Sequence, residues 1–337
     1  MNIIVENITK GKNLLWRSIK IKKSLNEICH TLEMELMPSE RSKVNKHDML
    51  KVRCKNKLIK PNWADLITTV FVDEITAYVD ETKHSLQVLG RSPARDIIDS
   101  AWSSEVIEVN QTLKTIVQRI GRKFNIECVT FPPNGPDPTE NVHYFDFENE
   151  SPWTKLINEA DNQGYILTSN QAGNLYLWKV ASGLRNEPFK IAEGFNVKSI
   201  RWTENGTEQF HKYVVKGNGT EVQEIDNTCR GNRILCIDVR DVFFDEKLKR
   251  RAKTEKLRRN ENKTIVSVSG WGLNDMQLKN LGNPENPELF WFPNLLVPVK
   301  IPSLGLDADL LVSEVEYTAD AETFSCDLTL SNKEVYL

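Results

Sequence analysis

Nine residues in the first quarter of the chain, VDEITAYVD (Val72–Asp80), lie against VSEVEYTAD (Val312–Asp320) without a gap, matching valine, glutamate, an aliphatic residue and aspartate in register. One residue later Glu81-Thr82 meets Glu322-Thr323, and both tracts run on into a final alternating stretch. Upstream, MLKVRC (from Met49) resembles LLVPVK (from Leu295). A strand pattern repeated at both ends needs two similar sheet faces to bury, so it predicts two related small β-barrels in one chain.

The text between the two tracts obeys a different period. After Gly90-Arg91-Ser92 the stretch Pro93–Trp102 reads as a helix carrying Ile97, Ile98 and Ala101, and a second, near Gln111–Lys123, puts Leu113, Ile116, Val117 and Ile120 on one face. The run FPPNGPDPTEN reads as a loop. Then Ser151 can cap a helix, Pro152 suits its first turn, and Trp153, Leu156, Ile157 and Ala160 form its apolar stripe. At Tyr165 the period drops to two. Tyr165 and Leu167 face Leu175 and Leu177 across the turn-forming run Ser169–Asn174, which predicts a hairpin packed on that helix.

The expected class is therefore mixed and mainly β, with an α+β insert. The first barrel takes residues 1–91, a helix-and-hairpin α+β domain takes 92–180, and the second barrel takes 181–337, interrupted by a basic helical segment at about 245–262. FNVKSIRW and HKYVVKGNG are read as strands of the second barrel. A length of 337 residues suits two or three domains.

Charge is distributed unevenly. The net charge is only −3, yet residues 1–60 hold 14 Lys/Arg against 6 Asp/Glu, and residues 272–337 hold 3 against 11. Complementary pairing between neighbouring subunits or stacked layers accounts for both ends; nucleic-acid binding accounts for the first alone and lacks interleaved aromatics. The segment Asp245–Asn262 carries eight Lys/Arg between Lys247 and Arg259, with a thin stripe of Leu248, Ala252 and Leu257. It reads as a solvated helix, with a phosphate grip as the functional alternative. No apolar run approaches the ~18 to 20 residues that span a bilayer, and MNIIVENITKGKNLLW lacks the basic start of a secretory leader, so neither membrane insertion nor a leader is expected.

The chemical inventory is sparse. Gly270-Trp271-Gly272 lacks the third glycine and the lysine of a phosphate loop. Adjacent Cys29 and His30 on a strand point to opposite faces and make no nucleophile–base pair. Asp241, Asp245 and Glu246 could be imagined as an acid pair for glycoside cleavage, but acids are ordinary at a helix start. The six cysteines, Cys29, Cys54, Cys128, Cys229, Cys236 and Cys326, form no CxxC or metal-ligand spacing and read as reduced thiols. No catalytic, cofactor-binding or metal-binding residue is assigned. Trp271, Trp291 and Phe292 read as packing anchors.

Three tracts together carry a resemblance: HSLQVLGRSPARDIIDSAW, SPWTKLINEADNQGYILTSNQAGNLYLWK, and VSVSGWG running through FWFPNLLVPVK to VEYTAD. In this order the chain resembles the baseplate hub of phage Mu and Mu-like prophages, over most of its length. The family match is strongest at Gly90-Arg91-Ser92 with Asp96-Ile97-Ile98-Asp99, at Leu167–Asn170, and at Gly270-Trp271 with Trp291-Phe292-Pro293-Asn294. It departs at a short insertion, Lys60–Ala64, and in the wording of the basic helix. The resemblance extends to the gp27-like hubs of T-even phages and the amino-terminal part of type VI secretion VgrG spikes. It implies a non-catalytic homotrimeric ring, two barrels per subunit, fitting a sixfold tail tube above to a threefold central spike below within the virion baseplate of a contractile tail. It also implies contacts with other baseplate proteins, assembly in the host cytoplasm, no cofactor and no specific nucleic acid. A hub with cell-wall lytic activity and a nucleic-acid-binding module are the alternatives.

Overall fold

Residues 2–55, 64–82, 84–101, 110–131, 138, 141–142, 151–180, 189–217, 219–239, 245–273 and 290–336 are described by the computed structural model. The Lys60–Trp63 part of the insertion, most of the FPPNGPDPTEN loop, Trp102 and Asp241 lie outside the described residues.

The amino-terminal strands are β1 (Asn2–Asn7), β2 (Lys12–Leu14), β3 (Trp16–Ser24), β4 (Thr31–Leu36), β5 (Met49–Lys55), β6 (Asp65–Val79) and β7 (His84–Arg91). Their alternation becomes burial: Leu50, Val52 and Cys54 of β5, and Leu32, Met34 and Leu36 of β4, all point into one core. The middle of the chain supplies α1 (Arg95–Asp99), β8 (Gln111–Thr112), α2 (Leu113–Lys123), β9 (Cys128–Phe131), β10 (Asn141–Val142), α3 (Pro152–Gln163), β11 (Ile166–Ser169) and β12 (Leu175–Trp178). The first of the expected helices is thus a single short turn. The other two form as their apolar spacing requires, and Ser151 Oγ accepts from the Trp153 amide to cap α3. Gly164 ends that helix at φ 70°, and the Tyr165 amide donates to the Ala160 carbonyl, turning the chain directly into the hairpin. β12 pairs antiparallel with β11 and parallel with β9, while α2 and α3 close a second core with Ile97, Leu156 and Leu177.

The carboxy-terminal part contains β13 (Ile191–Ala192), β14 (Val197–Thr203), β15 (Lys212–Gly217), β16 (Thr220–Ile225), β17 (Ile234–Asp238), α4 (Asp245–Asn260), β18 (Lys263–Ser269), β19 (Leu296–Ile301), β20 (Leu306–Ala319) and β21 (Phe324–Ser331). HKYVVKGNG is not part of the main sheet. β15 sits between β16 and β17 in a separate three-stranded sheet, and α4 covers it through Leu248 and Ala252 against Val215. The reason is visible in the burial pattern. β16 and β17 alternate only half-buried and exposed residues, so this layer has a single thin apolar face, enough for one helix and no more.

One large sheet joins the two ends of the chain in the order β14-β18-β21-β20-β3-β4-β7-β6-β5-β1-β2, with β19 also on β20 and β13 on β19. Within it the same five-stranded unit occurs twice, β3-β4-β7-β6-β5 and β14-β18-β21-β20-β19; the strand beyond differs, since β1 runs antiparallel to β5 and β13 parallel to β19. The correspondence extends to two irregularities, although the β5–β6 shift between Val52 and Arg53 has no counterpart between β19 and β20. β6 shifts register against β7 between Val72 and Glu74, and β20 shifts against β21 between Val312 and Glu314. β3 shifts against β4 between Trp16 and Ser18, and β14 against β18 between Val197 and Ser199. Bulges bend and re-aim a strand, so two in matching places mean two units curved alike. The hairpin ends agree as well, since Asp80 Oδ1 accepts from the Thr82 amide and Asp320 Oδ1 from the Glu322 amide, both 2.8 Å.

Two details of the sequence alignment are corrected by these registers. Thr82 corresponds to Glu322, so the shifted Glu-Thr match is not structural. Met49 pairs with Phe71 and Leu296 with Leu311, so MLKVRC aligns from Leu296, one residue later than the sequence comparison placed it. The side-chain period of two makes this decisive: only the later register puts Val297, Val299 and Ile301 opposite the core positions Leu50, Val52 and Cys54.

Candidate functional site

The three tracts that carry the resemblance converge on one place, where the amino-terminal unit, the hairpin and the carboxy-terminal unit meet. His30, just before β4, is its centre. Its Nε2 lies 2.9 Å from the Ser169 carbonyl at the end of β11, and its Nδ1 lies 3.1 Å from Thr68 Oγ1 on β6. A carbonyl can only accept, so Nε2 carries the proton and Nδ1 accepts from the threonine hydroxyl. Ser92 Oγ accepts from the His30 amide at 3.1 Å, and Ser169 Oγ donates to the Ile28 carbonyl at 2.5 Å. The hairpin tip closes against the same joint: Gly173, at φ 92°, lies where an added Cβ would stand 2.5 Å from the Pro93 ring. Burial, then the nearby Lys23 charge, holds His30 well below its ordinary range, so it is a neutral hydrogen-bonding pin.

Outside this pin an ionic lock fixes the first helical turn. Arg91 donates to Asp73 at 2.7 Å and to both oxygens of Asp99 at 3.0 and 2.6 Å. Arg95 reaches Asp73 and lies 5.0 Å over the Phe71 ring. On the carboxy-terminal side, Trp271 is fully buried, donates from Nε1 to the Thr318 carbonyl at 2.9 Å and packs against Tyr317. The Tyr317 hydroxyl donates to the Trp291 carbonyl, and Trp291 packs edge-on against Phe189. Asn294, at φ 76°, donates from Nδ2 to the Lys179 carbonyl just after the hairpin.

Lys23 was not singled out in the sequence, although the signal was there. On β3 the core positions run Ile19, Ile21, Lys23, an amine where the period of two demands an apolar group. Its Nζ donates to the Ile67 carbonyl at 2.7 Å and lies 5.3 Å from the centre of the Tyr317 ring. Burial, only slightly offset by Cys326, lowers its pKa to about 7. Beside it a cavity of about 50 Å³ opens among Ser24, His30, Ser169, Trp178 and Phe292. That volume admits a few water molecules.

The residues weighed earlier as chemistry do not assemble. Cys29 is buried beside the Ser92 carbonyl and its thiol is pushed up to about 12, mainly by that burial. Asp245 and Glu246 are exposed on the first turn of α4. Among the described residues no group of three His, Cys, Asp or Glu could hold a metal ion, and no helix is long and apolar enough to cross a membrane.

The charge asymmetry has a structural use within one chain. β3 and β20 pair antiparallel from Ser24 opposite Glu314 to Ile19 opposite Ala319, and this seam joins the two repeated units. Across it Lys20 bridges Glu316 at 3.0 Å and Lys22 bridges Glu314 at 3.1 Å. The basic helix is likewise occupied. Arg251 and Arg258 approach Asp161 of α3 at 3.3 and 3.7 Å, Lys247 approaches Glu159, Lys256 binds Glu224 at 2.8 Å and Arg259 binds Glu208 at 2.8 Å. Desolvation pushes the Asp161 carboxyl up while Arg258 and Arg251 hold it down. A face already matched to acids is a docking face, which removes most of the case for a phosphate grip.

No family model matches the chain. It is 21% identical to the baseplate hub protein gp44 of Escherichia phage Mu over 351 residues, 96% of this chain and 86% of that protein. Among solved structures, a 43 kDa tail protein of prophage MuSo2 from Shewanella oneidensis superposes with a TM-score of 0.77 at 21% identity, covering 99% of this chain and 98% of that one. An Escherichia coli type VI secretion component, described as structurally similar to the T4 tail proteins gp27 and gp5, superposes with a TM-score of 0.59 at 9% identity, covering 98% and 77%. The mainly β fold expected from the sequence is therefore the fold that the chain shares with these tail proteins.

Proposed function

We propose that this chain, alike to Mu-like baseplate hub proteins in fold and over nearly its whole sequence, is the structural hub of a contractile phage tail baseplate. Its work is mechanical. The observation that carries this reading is the repeated five-stranded unit, with two bulges in matching places, joined edge to edge within one chain. Two like units per chain let three chains present six similar faces to a sixfold tube and three to a threefold spike. The ring is therefore read as a homotrimer, tube above and spike below, placed among other baseplate proteins and assembled in the host cytoplasm.

The division into units follows from the same reading: residues 1–91 and 181–337 form the ring, and residues 92–180 form a decoration held rigid by the His30 joint and the α3–α4 contact. The insertion around α4 thickens the second unit and grips the decoration. Rigidity supports a part that transmits load, and the buried, fully partnered His30 and the ion pairs that tie the basic helix to α3 agree with it. Among the described residues no observation favours the lytic or nucleic-acid readings.

Light scattering on a sizing column tests the proposal. A mass near three times 38.7 kDa, with no cell-wall clearing and no salt-dependent DNA retention, is the expected result. A chain that clears cell walls, or stays a monomer at its highest soluble concentration, refutes it.

A further inference from the structure

The in-chain seam has a second copy of each of its two edges, and among the described residues neither copy has a strand partner. In the seam β20 offers Glu314–Ala319 to β3, having already paired with β19 up to Leu311. β6, its equivalent, pairs with β5 up to Phe71, and from Glu74 to Val79 its corresponding edge has no strand partner among the described residues. β14, the equivalent of β3, pairs with β18, and its outer edge has no strand partner among the described residues.

Exposure marks the same positions. Ile21 is 0% exposed in the seam, whereas its equivalent on β14, Trp202, is 47% exposed. Ala319 is 0% exposed, whereas its equivalent on β6, Val79, is 68% exposed, and neighbouring Tyr78 is 51% exposed. Long, apolar, unpaired edges invite strand addition, and stable proteins cover them. Here the cover can be named, because each open edge is complementary in kind to the other.

Resting on the hub reading above, we infer that β14 of one copy of this chain adds antiparallel to the Glu74–Val79 edge of β6 in the next copy, repeating between chains the β3–β20 seam within each. The seam's own register fixes the partners. Thr203 stands opposite Thr76, Trp202 opposite Ala77, Arg201 opposite Tyr78 and Ile200 opposite Val79. Trp202 fills the space over the small Ala77 where the seam sets Ile21 against Tyr317, and Ile200 meets Val79 on the same core-facing side. Arg201 lies along Tyr78 on the outer side. The seam's lysine–glutamate pairs are not reproduced, since Thr76 and Thr203 replace Glu316 and Lys22. The junction between chains is thus the more apolar of the two. It is head-to-tail, the kind of contact that closes a ring.

The test mixes two single variants of the full chain, both in a Cys236→Ser background: Thr76→Cys and Thr203→Cys, treated with oxidant or a short bis-maleimide. A covalent dimer on a non-reducing gel from the mixture, none from either variant alone, and none when Ser199→Cys replaces Thr203→Cys is the expected result. In parallel, Val79→Asp and Trp202→Asp are expected to lower the native mass to that of one chain with an unchanged circular dichroism spectrum. An assembly that persists in both aspartate variants and gives no cross-link overturns this junction and leaves the ring standing. A wild-type chain that is monomeric at its highest soluble concentration overturns both.

Discussion

Replacing Lys23 by methionine removes the one buried amine on the core face of β3. The fold lowers its pKa from 10.5 to about 7 by burial, and at about 1.36 kcal/mol for each tenfold change in proton affinity that drop corresponds to about 5 kcal/mol. The sign follows from the protons bound. Between pH 7 and 10.5 the unfolded chain keeps its proton on Lys23 while the folded chain does not, so wild-type stability rises with pH across that window. Below pH 7 both states are protonated and the penalty is fully present. Methionine carries no such penalty but leaves the Ile67 carbonyl without its donor, a loss of about 1 to 3 kcal/mol for a buried acceptor. Lys23→Met should therefore be more stable than wild type by about 2 kcal/mol at pH 7 and roughly equal to it near pH 9. Urea unfolding followed by tryptophan fluorescence, at several pH values between these, measures the difference. Parallel pH profiles for the two proteins, or a variant weaker than wild type at pH 7, would refute the reasoning.

Trp271→Ala empties a fully buried site and orphans the Thr318 carbonyl, so it should cost about 3 to 5 kcal/mol, read as a lower urea midpoint. Gly90→Ala places a Cβ 2.7 Å from the Phe71 carbonyl, beside the β6 bulge, and should cost about 1 to 3 kcal/mol in the same assay; wild-type behaviour there would show that the two strands can separate locally. Asp161→Ala leaves Arg251 and Arg258 without their acid on α3 and should speed tryptic cleavage within α4 several-fold while the main sheet melts unchanged. Equal cleavage rates would mean that α4 is held by Leu248 and Ala252 alone.

Much of this architecture was legible in the chain. Period-two tracts with matching valine, glutamate and aspartate gave the repeated unit, because strands must alternate to bury one face, and Ser151-Pro152 with its apolar stripe gave α3 because a helix needs a cap and a face. Other features were out of reach for a physical reason. Half-buried tracts such as β15–β17 alternate like any strand, and nothing local says which sheet will accept them; only the thin apolar face of α4 decided that. The one-residue register of β19 was ambiguous for the same reason, since a hydrophobic run such as LLVPV fits two parities until the core selects one. Charge is the clearest case. Sequence alone fixed a basic beginning and an acidic end, but composition carries no distances, and pairing between subunits was as consistent with it as pairing within one. The antiparallel meeting of β3 and β20, nearly three hundred residues apart along the chain, set Lys20 against Glu316 and Lys22 against Glu314, and it made the outer edges of β6 and β14 the places still open. Local periodicity determines which residues can form a strand and which side they bury. Which strand lies beside which is a long-range choice, settled only when the whole core is packed at once.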